Sequence, residues 1–308
     1  MSRQRSQNSS VLKSLTETIK PWYQITRVSK FAGTMVLFWP WAWSLTIAAR
    51  ALHLELPAFM SMLVLGFIGA SLLHSAGCIW NDILDREFDR QVERTKKRPI
   101  AAGTISVPGA LVFLGVHLAI LIRMIWNLDD TAFAFGLMSI IALPGIYPFM
   151  KRITYWPQAW LGLAMNTGAP MAWLALGQGL PTSIKILFAG TWAWTMWYDT
   201  IYACQDKRDD VKAGVKSTAL LFGTWIKPIL CAFASALVAS LYIAGVMNNM
   251  GTYYHAISVV GGALYLATDM LTVDLDSPKA CWASFHRNGF RFGGLVWAGA
   301  LADYLMSL

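Results

Sequence analysis

Asn81-Asp82-Ile83-Leu84-Asp85-Arg86-Glu87-Phe88-Asp89 closes an apolar segment that covers 57–79. Asp82, Asp85 and Asp89 stand at i, i+3 and i+7, so a continuing helix would carry the three carboxylates on one face. A second run closes another apolar segment, and its Asp199, Asp206 and Asp210 again share one helical face. Uncompensated carboxylates at the edge of an apolar span are expensive, and two such runs point to function.

Composition says what surrounds them. The 308 residues are 56% hydrophobic and 14% charged, where a soluble domain carries about 25% charge. Mean hydropathy is +0.46. This is the profile of an integral membrane protein, in contact with a lipid bilayer. The net charge of +8 does not indicate nucleic acid, because the basic residues are spread over the edges of apolar segments. Cys78, Cys204, Cys231 and Cys281 stand singly, with no Cys-x-x-Cys pair, so neither a disulfide frame nor a zinc site is expected.

Windows long enough to cross about 30 Å of hydrocarbon fall near 31–50, 57–79, 106–126, 131–149, 157–177, 184–204, 226–246, 253–272 and 289–307. The expected fold is all-α, a multi-pass bundle of nine transmembrane helices. Residues 1–24 read as a polar cytoplasmic tail and 25–308 as one membrane domain. The fifth window is interrupted by Asn166, Gly168 and Pro170, a break that neighbouring groups or a cavity must satisfy. Nine spans place every basic residue except Arg50, Arg123 and Lys185 on one side, as the positive-inside rule requires. Both acidic runs then face that side. Each is followed by a basic, glycine-containing loop, Lys96-Lys97-Arg98 to Gly103 in one case and Lys212-Ala213-Gly214-Val215-Lys216 in the other. The shared plan fits two similar halves meeting at a central cavity.

Carboxylates from two helix ends, without His or Cys partners, suit a hard cation such as Mg²⁺, which commonly bridges carboxylates to phosphate oxygens. Arg94, Lys96, Lys97, Arg98, Lys151, Arg152, Lys207, Lys212 and Lys216 supply the cations that phosphate needs. Acids for metal ringed by bases describe a diphosphate site, and in a bilayer the natural diphosphate is that of an isoprenoid. Ionising an allylic diphosphate requires stabilisation of the departing charge and exclusion of water from the cation left behind. Trp192, Trp194, Trp197, Tyr198 and Tyr202 precede the second run; they serve either as cation-stabilising faces or as core. His74, seven residues before Asn81, falls on the same helical face, and Asp269 is expected at a loop.

The ordered set Asn81-Asp82 to Asp85 to Asp89, Lys97-Arg98-Pro99 with Gly103, Tyr147 to Arg152, Pro157-Gln158, Asn166, Tyr198-Asp199-Thr200 to Asp206 and Asp210, and Lys216-Ser217-Thr218 resembles the UbiA superfamily of intramembrane aromatic prenyltransferases. The resemblance runs from about Arg27 to the C-terminus. It implies Asp85, Asp89, Asp206 and Asp210 as Mg²⁺-diphosphate carboxylates, with Asn81, Asp82 and Asp199 in support. It implies Arg98, Lys151, Arg152 and Lys216 as diphosphate or acceptor contacts, and Arg27 as the family's first-helix arginine. The activity implied is transfer of a prenyl group, farnesyl first, from its allylic diphosphate to a ring carbon of a phenolic acid, with Asp206 or Asp199 polarising the acceptor hydroxyl. Lys30-Phe31-Ala32-Gly33 departs from the Pro-Ile-Gly that quinone-pathway members carry, and so resembles members of fungal meroterpenoid pathways. That places the protein in the endoplasmic reticulum or Golgi membrane. Polyprenylation of 4-hydroxybenzoate in the mitochondrial inner membrane is the second enzyme reading, a terpene cyclase of the same superfamily a third, and a carboxylate-based transporter the non-enzyme alternative.

Overall fold

In the computed structural model the chain is described over residues 17–93 and 95–308, and no strand occurs among them. All nine windows fall on helix. Among the described residues four helices are long and apolar enough to cross a membrane by length and composition: Leu56–Leu84, Val107–Ile125, Asp130–Ile153 and Gly223–Met247. By its contacts the chain divides into two units, the described part of Met1–Phe31 with Ser71–Leu121, and Ala32–Ala70 with Ile122–Leu308.

The first unit takes in the described end of the stretch expected as a polar tail. Residues 1–16 lie outside the described part, but 17–25 form a helix. Trp22 packs edge-on against Phe113, ring centroids 5.2 Å apart. Ile25 is fully buried in a core with Ile79, Ile83, Ile100 and Ile105. The helix ends in a turn where Arg27 takes φ 54°, a left-handed conformation uncommon for a residue other than glycine.

In the second unit the interrupted fifth window breaks where expected, into Pro157–Met165 and Gly168–Leu174. The freed backbone groups are taken up: Ala169 N–H donates to Asn166 O at 3.0 Å, and Ser44 Oγ donates to Ala169 O at 2.7 Å. Asn166 Nδ2 donates to Gly162 O and to Thr195 Oγ1. The last helix starts earlier than predicted. Pro278–Arg287 continues through a π-helical turn, Asn288–Phe292, into Gly293–Leu305, so Lys279, Arg287 and Arg291 stand on helix instead of loop. A π turn leaves carbonyls without their usual i+4 donors, and tryptophans of Ala32–Ala51 cover them. Trp39 Nε1 donates to Gly289 O at 2.6 Å and Trp43 Nε1 to Gly293 O at 3.0 Å.

Helix Thr182–Cys204, which carries Asp199, packs along Ile226–Met247. Gly190 permits the approach: a Cβ there would run into the Ser240 side chain, with Leu237 Cα 3.6 Å away. Gly190→Ala is therefore expected to lower thermal stability in detergent by about 1–3 kcal/mol through overpacking, and adding Ser240→Gly should recover part of the loss.

Candidate prenyl diphosphate site

Both acidic runs are built in the same way, and in neither are the acids on one continuous helix. Leu56–Leu84 stops before Asp85, which sits at φ −94°, ψ 5° and starts a new helix, Arg86–Gln91. Thr182–Cys204 stops before Asp206, which sits at φ −106°, ψ 4° and starts Lys207–Ala213. The expected shared helical faces are corrected accordingly. Asp85 and Asp206 are junction residues, and Asp199 lies on the helix before its junction. The helical hydrogen-bond spacing nonetheless survives across both joints, with Asp89 N–H to Asp85 O and Asp210 N–H to Asp206 O each at 2.8 Å. Neither Asp85 nor Asp206 spends its side chain as a cap, although Asp and its relatives ordinarily do so at this position. The following loops match too, each turning on a glycine of positive φ, Gly103 at 75° and Gly214 at 67°.

In the first unit the remaining acids are partnered. Arg98 Nη1 donates to both Asp89 oxygens at 2.8 and 3.0 Å and to Asp82 Oδ1 at 3.2 Å. Arg27 pairs with the same Asp82 oxygen. Asp82 and Asp89 are 2% and 6% exposed, so two arginines are needed to hold these charges away from water. The Arg27 pair also explains how its left-handed backbone is tolerated. Asn81 is half-buried, and its carbonyl accepts from Asp85 N–H at 2.9 Å. One and two turns further back, Cys78 Sγ lies 3.6 Å from His74 Nε2.

In the second unit the predicted bases are gathered by backbone. Lys216 N–H donates to Lys151 O at 2.9 Å, and Lys216 Nζ donates to Ile153 O at 3.1 Å. This docks the loop after the second acidic run on the end of the helix that bears Lys151 and Arg152. Lys151 Nζ stands 5.4 Å from the Tyr147 ring centre and Lys216 Nζ 5.6 Å from that of Tyr155, within cation–π range. Gln158 ties the arrangement together. Its Oε1 accepts from Thr218 N–H at 3.0 Å, and its side chain hydrogen-bonds Asp199, which also feels the charge of Lys151. Thr200 and Thr218 hydroxyls meet at 2.7 Å. The sequence shows Gln158 and Thr218 as motif members without a role; an amide one motif away from an acid on an apolar helix was the available signal.

Other expectations resolve by packing. Asp269 is on helix Gly262–Thr272 instead of a loop, accepting from Ser284 Oγ at 2.5 Å, Arg287 Nη2 at 2.6 Å and Asn288 Nδ2 at 3.3 Å. Trp194 packs on Trp43, Tyr198 and Phe292, and Tyr202 on Phe285. Trp194 and Tyr198 are buried in the core, and Tyr202 is half-buried. Arg94 lies outside the described residues.

An all-helical chain with two Asp junctions, each trailed by a basic, glycine-turned loop, has the make-up of an intramembrane prenyltransferase. The chain belongs to the UbiA prenyltransferase family, whose profile matches residues 34–295. It is 61% identical over 292 residues to the UbiA prenyltransferase claS of Ampulloclitocybe clavipes, covering 95% of this chain and 93% of that one. It is 42% identical to the mitochondrial 4-hydroxybenzoate polyprenyltransferase of Schizosaccharomyces pombe, covering 92% and 79%. Its fold is that of a UbiA homologue from Archaeoglobus fulgidus solved with GPP and Mg²⁺, at TM-score 0.61 and 16% identity over 93% of this chain and 99% of that one. The protein is thus an enzyme, and the transporter reading falls away.

Removing Arg98 leaves Asp82 with Arg27 alone and Asp89 without its bidentate partner. Arg98→Ala is expected to cost about 3 kcal/mol, the lower end for breaking a buried pair, because the guanidinium keeps a quarter of its surface. Arg98→Lys restores charge without the fork and should recover part of this in thermal unfolding.

Proposed function

We propose that the protein transfers an isoprenoid, farnesyl as first choice, from its allylic diphosphate to the ring carbon ortho to the hydroxyl of a phenolic acid, in Mg²⁺-dependent meroterpenoid biosynthesis at the endoplasmic reticulum or Golgi membrane. The observation that carries this reading is the repeated junction, Asp85 with Asp89 and Asp206 with Asp210, in which the first carboxylate is kept out of capping. The donors suit the ion. Mg²⁺ takes hard oxygen ligands, keeps several waters, and is commonly held by one or two carboxylates plus phosphate. Such an ion does not require a ready-made cage, and among the described residues no group of three or more His, Cys, Asp or Glu forms one. The GPP and Mg²⁺ named for the Archaeoglobus fulgidus homologue support the same class of ligand.

Asp85, Asp89, Asp206 and Asp210 would hold Mg²⁺, with Asp82 and Asn81 in support, and the bound ion supplies charge neutralisation for the departing pyrophosphate. Arg27, Arg98, Lys151, Arg152 and Lys216 contact the diphosphate or the acceptor carboxylate. The C1–O bond breaks with its electron pair on pyrophosphate, the ring carbon bonds to C1, and the ring proton passes to a carboxylate or to the released pyrophosphate. Asp199, fixed by Gln158 beside Lys151, and Asp206 are the two candidates for hydrogen-bonding the acceptor hydroxyl. The 61% identity to a UbiA prenyltransferase of the fungus Ampulloclitocybe clavipes is in keeping with a prenyltransferase of fungal type. The 42% identity to the latter keeps 4-hydroxybenzoate polyprenylation in the mitochondrial inner membrane as the second reading.

Membranes carrying the protein are to be given C10, C15 and longer allylic diphosphates with a panel of phenolic acids, and the products weighed by mass spectrometry. Farnesylated acid with equimolar pyrophosphate is expected, lost with EDTA and restored by Mg²⁺. Turnover only with 4-hydroxybenzoate and long chains selects the second reading, and no product from any pair sinks the assignment. Asp85→Ala and Asp206→Ala should each slow turnover by about 10²-fold or more, with thermal unfolding read on the same samples to separate lost chemistry from lost fold.

A further inference from the structure

His74 lies on helix Leu56–Leu84, seven residues before Asn81 and eleven before Asp85. Those separations are close to two and three helical turns, so the three side chains share one face. The opposite face, Ala76, Ile79 and Ile83, is packed into the core with Ile25 and Ile105. His74, Asn81 and Asp85 are each half-buried. Exposed apolar side chains on this helix stop at Ile68, and no residue from Ser71 to Asp85 is exposed. The His74 face is therefore not lipid-facing surface.

There is room in front of it. Gly77 stands between His74 and Asn81 at the edge of this face, and a Cβ there would meet nothing within 4 Å. Cys78, one turn on from His74, places its Sγ 3.6 Å from His74 Nε2 and so steadies the ring on the helix surface.

The spacing says what fits. His74 stands about 10 Å along the axis from Asn81, the length of one benzene ring with a polar group at each end. Prenyl transfer to the carbon ortho to a hydroxyl puts that hydroxyl at the diphosphate end, by Asn81 and Asp85. A carboxylate para to the hydroxyl then points back along the helix toward His74. In so apolar a span a carboxylate needs a donor. The helix carries no Lys or Arg, and His74 is its one side chain able to bear positive charge.

We propose that His74 is a specificity-determining contact whose imidazole N–H donates to the carboxylate of the phenolic acid, with the aromatic ring lying over Gly77. The acceptor class rests on the proposed function; the contact is tested by binding, without turnover.

Protein in nanodiscs is to be saturated with Mg²⁺ and farnesyl thiolodiphosphate, whose thiolate leaving group keeps it from ionising readily. It is then titrated with radiolabelled 4-hydroxybenzoate and with phenol, which lacks the carboxylate. His74→Phe keeps a ring without a donor and is expected to weaken 4-hydroxybenzoate about tenfold or more, the worth of a hydrogen bond to a charged group, while phenol changes by less than about twofold. His74→Gln restores a donor and should recover part of the loss. Affinity for the thiolodiphosphate should stay at the wild-type level in both variants, showing that the fold and the donor site are intact. Equal losses for 4-hydroxybenzoate and phenol, wild-type affinity for both ligands in His74→Phe, or no saturable binding of 4-hydroxybenzoate to the wild type overturns the proposal. A wild type that binds 4-hydroxybenzoate through His74 yet forms no product from any diphosphate upholds the contact and sinks the proposed function alone.

Discussion

A carboxylate at the end of an apolar helix must find a cation within the fold, and most of the polar architecture here follows from that requirement. Asp82 and Asp89 share Arg98, and Asp82 takes Arg27 as well. Asp269 takes Arg287. Asp303 takes Arg50 at 2.8 Å and also accepts Gly251 N–H at 2.7 Å. In each case the arginine is the more exposed partner. The acids are thereby sorted. Asp82 and Asp89 hold arginines at fixed angles, and Asp85 and Asp206 stand at helix starts without capping them. The proposed chemistry draws on both kinds, Asp89 bringing Arg98 to the junction that Asp85 begins.

Backbone groups obey the same accounting. The chain breaks or widens its helices at 166–167 and 288–292, and each defect has a named donor or acceptor from a neighbouring helix, Asn166, Ser44, Trp39 or Trp43. Tryptophan does this well inside an apolar core, since one N–H satisfies a carbonyl while the rest of the ring fills volume. That use explains why a chain with 15 Trp residues directs several of them inward.

Helix existence was legible in the sequence because hydropathy and length alone determine it, and all nine windows are helical. Helix ends were less legible. The acidic runs scored as continuous faces because i, i+3, i+7 spacing is the same whether or not a junction residue leaves the α region at Asp85 or Asp206. Hydropathy stopped the last span at its arginines, whereas Asp269 neutralises Arg287 and lets helix run back to Pro278. In residues 17–24 polar residues outnumber Trp22, so the sequence reads as tail and does not announce the packing of that ring on Phe113. Of the site, the charged residues were legible by type and order. Gln158 was not, because a bridging amide declares itself only through the two partners it joins.

The same distinction separates the two substrates of the proposed reaction. Recognition of a diphosphate is written in charges, and charges at apolar helix ends are conspicuous, so the donor can be argued from Asp85, Asp89, Asp206 and Asp210. An aromatic acceptor is recognised by shape and by one or two hydrogen bonds. The side chains placed to supply those bonds, Asp199 and Gln158, are themselves locked to Thr218 and hence to the loop that carries Lys216. That loop is in turn held to Lys151 by its backbone. A change of acceptor therefore need not touch any acid: altering how the Lys216 loop seats on the Lys151 helix end would move Gln158 and Asp199 together.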